Sequence, residues 1–361
     1  MHPCSNGGAV IVARMSASTD RIAELVADQA RAPDDAARCE SFRRGFAGLR
    51  ADLDLHPAGS TAARTFAAAA ATARAVAVDC LPLGIAVVMH LYPLCALRCV
   101  PLPWWRQGGL RRSRLLRSID GRALILSNAG SERTAGAHAP VIATRTRDGI
   151  RVDGSFDYVS LANVADLVLF SAPLAGSERK AFCAADLSGD SVCIGGGRFG
   201  GSMRLSDTCP VTFHNHRVTP ECFIEVPNET ALTCMAQYQR SWFHLLLGES
   251  YLSRIEHLRR QWGLARPVEQ VASLNELAQL REYALRLLDG TTASGNVESL
   301  SRVTAAIKLR ISLHAQSTAA AIRNLDETAA AELGFLGRQP TSDERILRSI
   351  APTAGIVVGQ E

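Results

Sequence analysis

The chain is 361 residues long, 47% hydrophobic and 20% charged, with a formal net charge of +4 at pH 7. That length suits two or three packed domains, and that balance belongs to an ordinary soluble globular protein, so extensive disorder is excluded and no nucleic-acid partner is indicated. Ten cysteines without a CxxC pair or a ligand-spaced histidine argue against a zinc site or a disulfide framework and for a reducing, cytoplasmic setting.

Residues 1–18 read as an N-terminal extension without the basic start, apolar block and cleavage site of a secretory signal. From Thr19 to about Leu116 the text is Ala-rich, with apolar positions three and four apart, as at Ile22, Leu25 and Val26 and again from Phe66 to Val78. This predicts an N-terminal α-helical domain over 19–120, broken near Pro33 to Ala36. The most apolar run, Cys80 to Val100, contains Pro82, His90, Pro93 and Arg98. It falls short of the roughly 18 apolar residues of a membrane span, so a buried helix and no membrane are expected. The basic segment Arg106 to Arg117 suits a solvated helix face or loop, or else a phosphate-bearing partner. Lysine occurs only at Lys180 and Lys308.

Near Ala123 the pattern changes to short β-branched and aromatic runs separated by Gly, Asp and Ser, predicting a compact β-barrel or sandwich over 121–226. The expected strands are Leu124 to Leu126, Pro140 to Thr146, Ile150 to Val152, Leu167 to Ser171, Lys180 to Ala184, Ser191 to Ile194 and Cys209 to Phe213. Arg147-Asp148-Gly149 is a hairpin turn by composition. Strand alternation would put His214 and His216 on one face, but no carboxylate or third histidine stands at ligand spacing, so no metal is expected. Helical periodicity returns over 227–361, in Tyr238 to His257, Val268 to Leu288 and Val297 to Asn324, with a ragged end beyond Leu333.

Four segments carry more than secondary structure: Ser127-Asn128-Ala129-Gly130-Ser131-Glu132-Arg133-Thr134, Asp153 to Ser160, Ala165 to Ala172 and Arg198 to Ser206, followed by Val211 to Pro220. Their order and spacing resemble the middle β-domain of the acyl-CoA dehydrogenase superfamily of flavoproteins. The resemblance implies an α+β fold with an N-terminal helical domain, a central β-barrel and a C-terminal four-helix bundle, with FAD between barrel and bundle. It implies that Ser127 and Thr134 hold the flavin and its pyrophosphate, although Ala129 replaces the family's proline and Glu132-Arg133 break its glycine run. Hydroxyls and closely approaching backbone amides suit such an anion. Tyr158 matches the aromatic that packs on the isoalloxazine, and Ser160 the hydroxyl near flavin N5; alternation would offer both from one strand face. Leu258-Arg259-Arg260-Gln261-Trp262-Gly263 resembles the Arg-x-x-Phe-Gly motif, in which Arg259 would reach the cofactor's phosphates or adenine across a dimer interface, as a guanidinium fork can. By themselves, these features also suit a plain β-turn, strand packing and an exposed helical arginine.

Glu332 to Phe335 and Asp343 to Arg348 resemble the family's closing elements. A dehydrogenase of this family takes an α-proton with a glutamate, yet Val357 or Val358 stands at one such position and Gln239-Arg240 at the other, with Glu249 or Glu229 reachable only by an alignment slip. The reading preferred from sequence is FAD-dependent α,β-desaturation of an acyl thioester, carried by CoA or an acyl carrier protein, in a homodimer or homotetramer serving a specialised biosynthetic pathway. The alternatives are a flavin-dependent monooxygenase of the same fold, which needs no such base, and a non-redox descendant serving as a binding or partner subunit.

Overall fold

This computed structural model describes residues 7–100, 109–129, 140–226, 228–266, 268–290 and 294–335. The first five helices are α1 (Gly7–Arg31), α2 (Asp35–Asp52), α3 (Ala62–Asp79), α4 (Leu81–Cys99) and α5 (Gly109–Gly121). Asp34 ends the break between α1 and α2 by accepting a hydrogen bond from the Ala37 N–H, and Thr61 caps α3 through Arg64 N–H, each satisfying a donor the helix cannot. Pro82 lies in the first turn of α4, where its missing N–H removes nothing. Although α4 is long and apolar enough to cross a membrane, 83% of that stretch is buried inside the protein. It is a core helix, packed on α3 through Gly84, where a Cβ would come within 2.6 Å of the Ala77 Cβ.

The middle of the chain forms two four-stranded sheets. The first contains β1 (Leu126–Asn128), β4 (Leu167–Pro173), β5 (Lys180–Asp186) and β8 (Phe223–Val226), in the order β1-β4-β5-β8; the second contains β2 (Ile142–Thr146), β3 (Gly149–Val159), β7 (Cys209–Val218) and β6 (Val192–Ile194), in the order β2-β3-β7-β6. The rings of Phe156, Phe170 and Phe213 meet between them at 5.0 and 5.7 Å, so inward-facing aromatics from both sheets share one core. Among the described residues the strands form two facing sheets, joined at their edges only by the isolated bridges Ala129 to Val159 and Ala143 to Leu174, so closure into the expected barrel goes no further than these bridges. The Arg147-Asp148 turn does join β2 to β3. Gly149 follows it at φ 139, where a side chain would strike the Val218 carbonyl.

The C-terminal helices are α6 (Glu229–Gln261), α7 (Val268–Gly290), α8 (Ser294–Ile322) and α9 (Glu327–Phe335). They pack on one another, and α6 also packs on α3 and α4. Helix α6 runs well beyond the predicted Tyr238 to His257. Every residue from His244 to Tyr251 is buried, and a helix enclosed on all sides shows no apolar stripe to mark its extent. Strand β8 was not expected, and β3 and β7 continue past their predicted ends.

Candidate functional site

The helical and β regions meet at the start of β1. His90 on α4 bridges them: its Nε2 lies 2.7 Å from the Leu55 carbonyl, and its Nδ1 accepts from the Leu126 N–H at 2.9 Å. Burial drives its pKa down to about 3, so the ring is neutral, with the proton on Nε2. One residue along from Leu126, the Ser127 hydroxyl donates to the Ser160 carbonyl. The Ser160 hydroxyl is 2.9 Å from that of Thr208, which is 2.9 Å from Ser206, and Ser206 donates in turn to the Met203 carbonyl. This is a buried chain of uncharged hydroxyls.

Asn128, next on β1, hydrogen-bonds with the Tyr92 phenol of α4, whose pKa burial pushes up. The Tyr92 ring rests edge-on against Phe243 of α6 at 5.3 Å. One position later His244 is buried, with its Nδ1 lacking a hydrogen-bond partner among the described residues. Burial first, then the charges of Lys308 and Arg240, hold this imidazole neutral. On the outer side Tyr158 is half exposed and stacks on Phe199 at 6.0 Å; Phe335, at the end of α9, meets Phe199 edge-on at 5.3 Å.

Of the residues singled out from sequence, Ser127 and Ser160 are thus directly joined, and Tyr158 stands two positions from Ser160. The expected common face does not form. Strand β3 ends at Val159 after a register shift, Ser160 enters a turn, and Leu161 turns the chain at φ 56. Tyr158 therefore faces outward and Ser160 inward. Thr134, Glu132 and Arg133 lie outside the described residues, as do Asp343 to Arg348, Val357 and Val358. Arg259 is elsewhere: its guanidinium donates to the carbonyls of Leu264 and Ala265 where α6 ends. It lies 16 residues beyond Phe243, about 24 Å along a helix. His214 and His216 also separate. Asn215 takes φ 52 and β3 shifts register opposite it, leaving His214 exposed and His216 buried with its Nδ1 2.8 Å from the Ser191 hydroxyl.

Neither substitute base is available. Glu249 is buried between Arg74 and Arg281, 2.8 Å from each; Glu229 is an exposed residue in the first turn of α6, 3.0 Å from Lys180. Asp207, beside the hydroxyl chain, is raised to about 6 by burial and accepts from the backbone and side chain of Asn163. A separate cleft of about 340 Å³ is lined by Arg43, Arg122, Asn163, Asp166 and Asp186 among others, so its two arginines face two aspartates. Sequence reasoning missed Tyr92, Asn128, Phe199, Thr208 and His244. The available signal was chemical: a phenol and an imidazole inside apolar helices must find polar partners.

No family model matches the sequence, and no curated protein does. Solved structures do match, and they show the acyl-CoA dehydrogenase-like fold over nearly the whole chain. KijD3, solved with FMN and dTDP-3-amino-2,3,6-trideoxy-4-keto-3-methyl-D-glucose, aligns with a TM-score of 0.67 at 18% identity, covering 99% of this chain and 96% of its own. FMN-bound TdsC from Paenibacillus sp. A11-2 aligns at 0.61 and 16% identity, over 93% of this chain and 95% of its own. The methanesulfinate monooxygenase MsuC from Pseudomonas fluorescens aligns at 0.65 and 13% identity, over 96% of this chain and 98% of its own. At such identities the likeness is one of fold.

The residues present suit a flavin. An isoalloxazine is planar, and here the half-exposed Tyr158 ring, stacked on Phe199, offers it an aromatic face two residues from the buried Ser160 hydroxyl. The side chains in the hydroxyl chain are neutral.

Proposed function

We propose that this chain is a flavin-dependent monooxygenase of the acyl-CoA dehydrogenase-like fold, using FMN in preference to FAD. When bound, the flavin would supply the redox chemistry with oxygen. The observation that carries this reading is the absence, among the described residues, of a disposable carboxylate where Tyr92, Asn128, Arg240 and His244 gather. Desaturation of an acyl thioester requires a base there, and Glu249 is committed to Arg74 and Arg281. The solved FMN complexes and the monooxygenases of this fold support the choice. So does Arg259, whose engagement with its own chain leaves it unavailable to a pyrophosphate within one protomer.

The protein's own groups have defined parts in this reading. Tyr158 supplies an aromatic platform for the flavin, while the buried hydroxyls of Ser127, Ser160, Thr208 and Ser206 fix the turn behind it. Tyr92 keeps its proton at neutral pH because burial raises its pKa, so with Asn128 it can hydrogen-bond an oxygen at the reacting centre without ionising. The apolar packing of α4 on α6 excludes water, which strengthens each of these hydrogen bonds. A second subunit and cytoplasmic residence belong to the same proposal.

Absorption spectroscopy tests it. The purified protein, mixed with excess FMN or FAD and gel-filtered, should retain about one flavin per chain, with FMN preferred. Supplied with reduced FMN, it should consume oxygen in step with turnover of an oxidisable substrate. Anaerobic bleaching of bound flavin by an acyl thioester would return the desaturase reading, and failure to keep any flavin would leave the non-redox one.

A further inference from the structure

Arg240, an exposed residue of α6, differs from the arginines that tie the helical region together. Arg74 and Arg281 clasp Glu249, Arg254 binds Glu332 and the Val78 carbonyl, and Arg98 binds Pro57 O and Asp120. Arg240 reaches solvent with no ion pair or hydrogen bond among the described residues. It does not point into empty space. Residues 240, 243 and 244 form one face of α6, since positions three and four apart are neighbours on a helix. Phe243 on that face packs against Tyr92, and the Arg240 charge acts on both Tyr92 and His244.

Two further observations point the same way. The buried His244 ring has an Nδ1 without a partner, and a buried polar atom left unpaired is costly unless a ligand meets it. The side-chain charges that act on Tyr92 and His244 are all positive, those of Arg240 and of Lys308 on α8, with no aspartate or glutamate among them. Neighbouring charges of one sign attract an ion of the other, and a guanidinium fork matches the two oxygens of a carboxylate or phosphoryl group.

We infer that Arg240 and His244 form a subsite for an anionic oxygen group of the substrate, a carboxylate or a phosphoryl. Arg240 takes the group at the mouth, and His244 hydrogen-bonds to it from within. The inference relies on the flavin reading only for the role of the neighbouring Tyr92 and Asn128. The same chemistry could come from the flavin's own phosphate, so the test must separate the two.

Calorimetric titration of the full chain with benzoate and phenyl phosphate, against neutral benzamide, reads the subsite directly. At least one anion should bind about tenfold or more tightly than benzamide, a difference of about 1.4 kcal/mol. Arg240→Gln should remove that preference, Arg240→Lys should keep part of it, and His244→Phe should weaken it. Arg240 has no structural partner, so its variants should fold normally. FMN and riboflavin should bind Arg240→Gln as they bind the parent. Equal affinity for anion and amide, including no binding of either, overturns the subsite. Loss of FMN but not riboflavin from Arg240→Gln overturns it in favour of the flavin phosphate. A protein that prefers benzoate yet binds no flavin keeps the subsite and sinks the flavin reading.

Discussion

Two polar clusters lie in the helical part of this protein, and they are built in opposite ways. Around Glu249 the groups answer one another: one carboxylate lies 2.8 Å from Arg74 of α3 and 2.8 Å from Arg281 of α7, and Arg281 also rests over the Phe66 ring. Around Tyr92 the network remains open. Asn128 answers the phenol, but the His244 Nδ1 and the Arg240 guanidinium have no partner among the described residues. A closed network ties elements together; an open one leaves polar capacity for a molecule that is not part of the chain. The contrast teaches that burial of charge does not by itself mark a functional site.

The sharpest way to break the comparison is to open the closed network. Glu249→Ala leaves two arginines facing each other across the junction of α3, α6 and α7. It should destabilise the fold by about 3 kcal/mol, near the low end for a broken buried pair because both guanidiniums reach water. Urea unfolding should record that loss, while flavin retention by the surviving folded protein stays unchanged.

The converse experiment is Tyr92→Phe. Removing one hydroxyl from the open network should barely move the melting temperature, yet lower kcat by about 100-fold, the scale of one lost donor at a reacting centre. A large loss of stability with little loss of rate would reverse the roles assigned to the two regions.

A smaller effect concerns the hinge between helices and sheets. His90 is buried neutral with its pKa near 3, and His244 is shifted the same way, whereas an unfolded histidine protonates near 6.5. Below that pH the unfolded chain binds more protons, so each of these groups makes stability fall as the pH drops below about 6.5, down to about 3 for His90, by up to about 1.4 kcal/mol per unit. Asp207, raised to about 6 by burial, acts in the opposite sense between that value and the ordinary carboxylate range. His90→Gln can reproduce both hydrogen bonds without titrating. Its stability deficit against the parent should shrink as the pH is lowered from 7 to 5 in denaturant titrations.

The smallest expected change is at Arg259→Gln, which removes a charged donor from the carbonyls of Leu264 and Ala265 and should cost about 1.5 kcal/mol. FMN affinity should be unchanged. A concentration-dependent fall in flavin binding would instead restore the role across a dimer interface that the sequence resemblance implies for this arginine.

The sequence by itself determined the order of the architecture, helices, then strands, then helices, because apolar periodicity is local and survives without a partner. It also determined the break at Asp34, the turn before Gly149 and the buried character of α4, each carried by a few adjacent residues. Ser127 and Ser160 were legible only as parts of the family resemblance, not as contact partners. Closure of the strands was not, since whether two sheets join depends on edge pairings between distant segments; the outward turn of Tyr158 was not, since it follows from a register shift and from the left-handed Leu161. Tertiary structure alone decided the open network, because Tyr92, Asn128 and His244 come from α4, β1 and α6 and meet only when those elements pack. It alone also revealed that Glu249 is spoken for and Arg240 is not, since a charge is free or satisfied only by virtue of what the fold brings beside it.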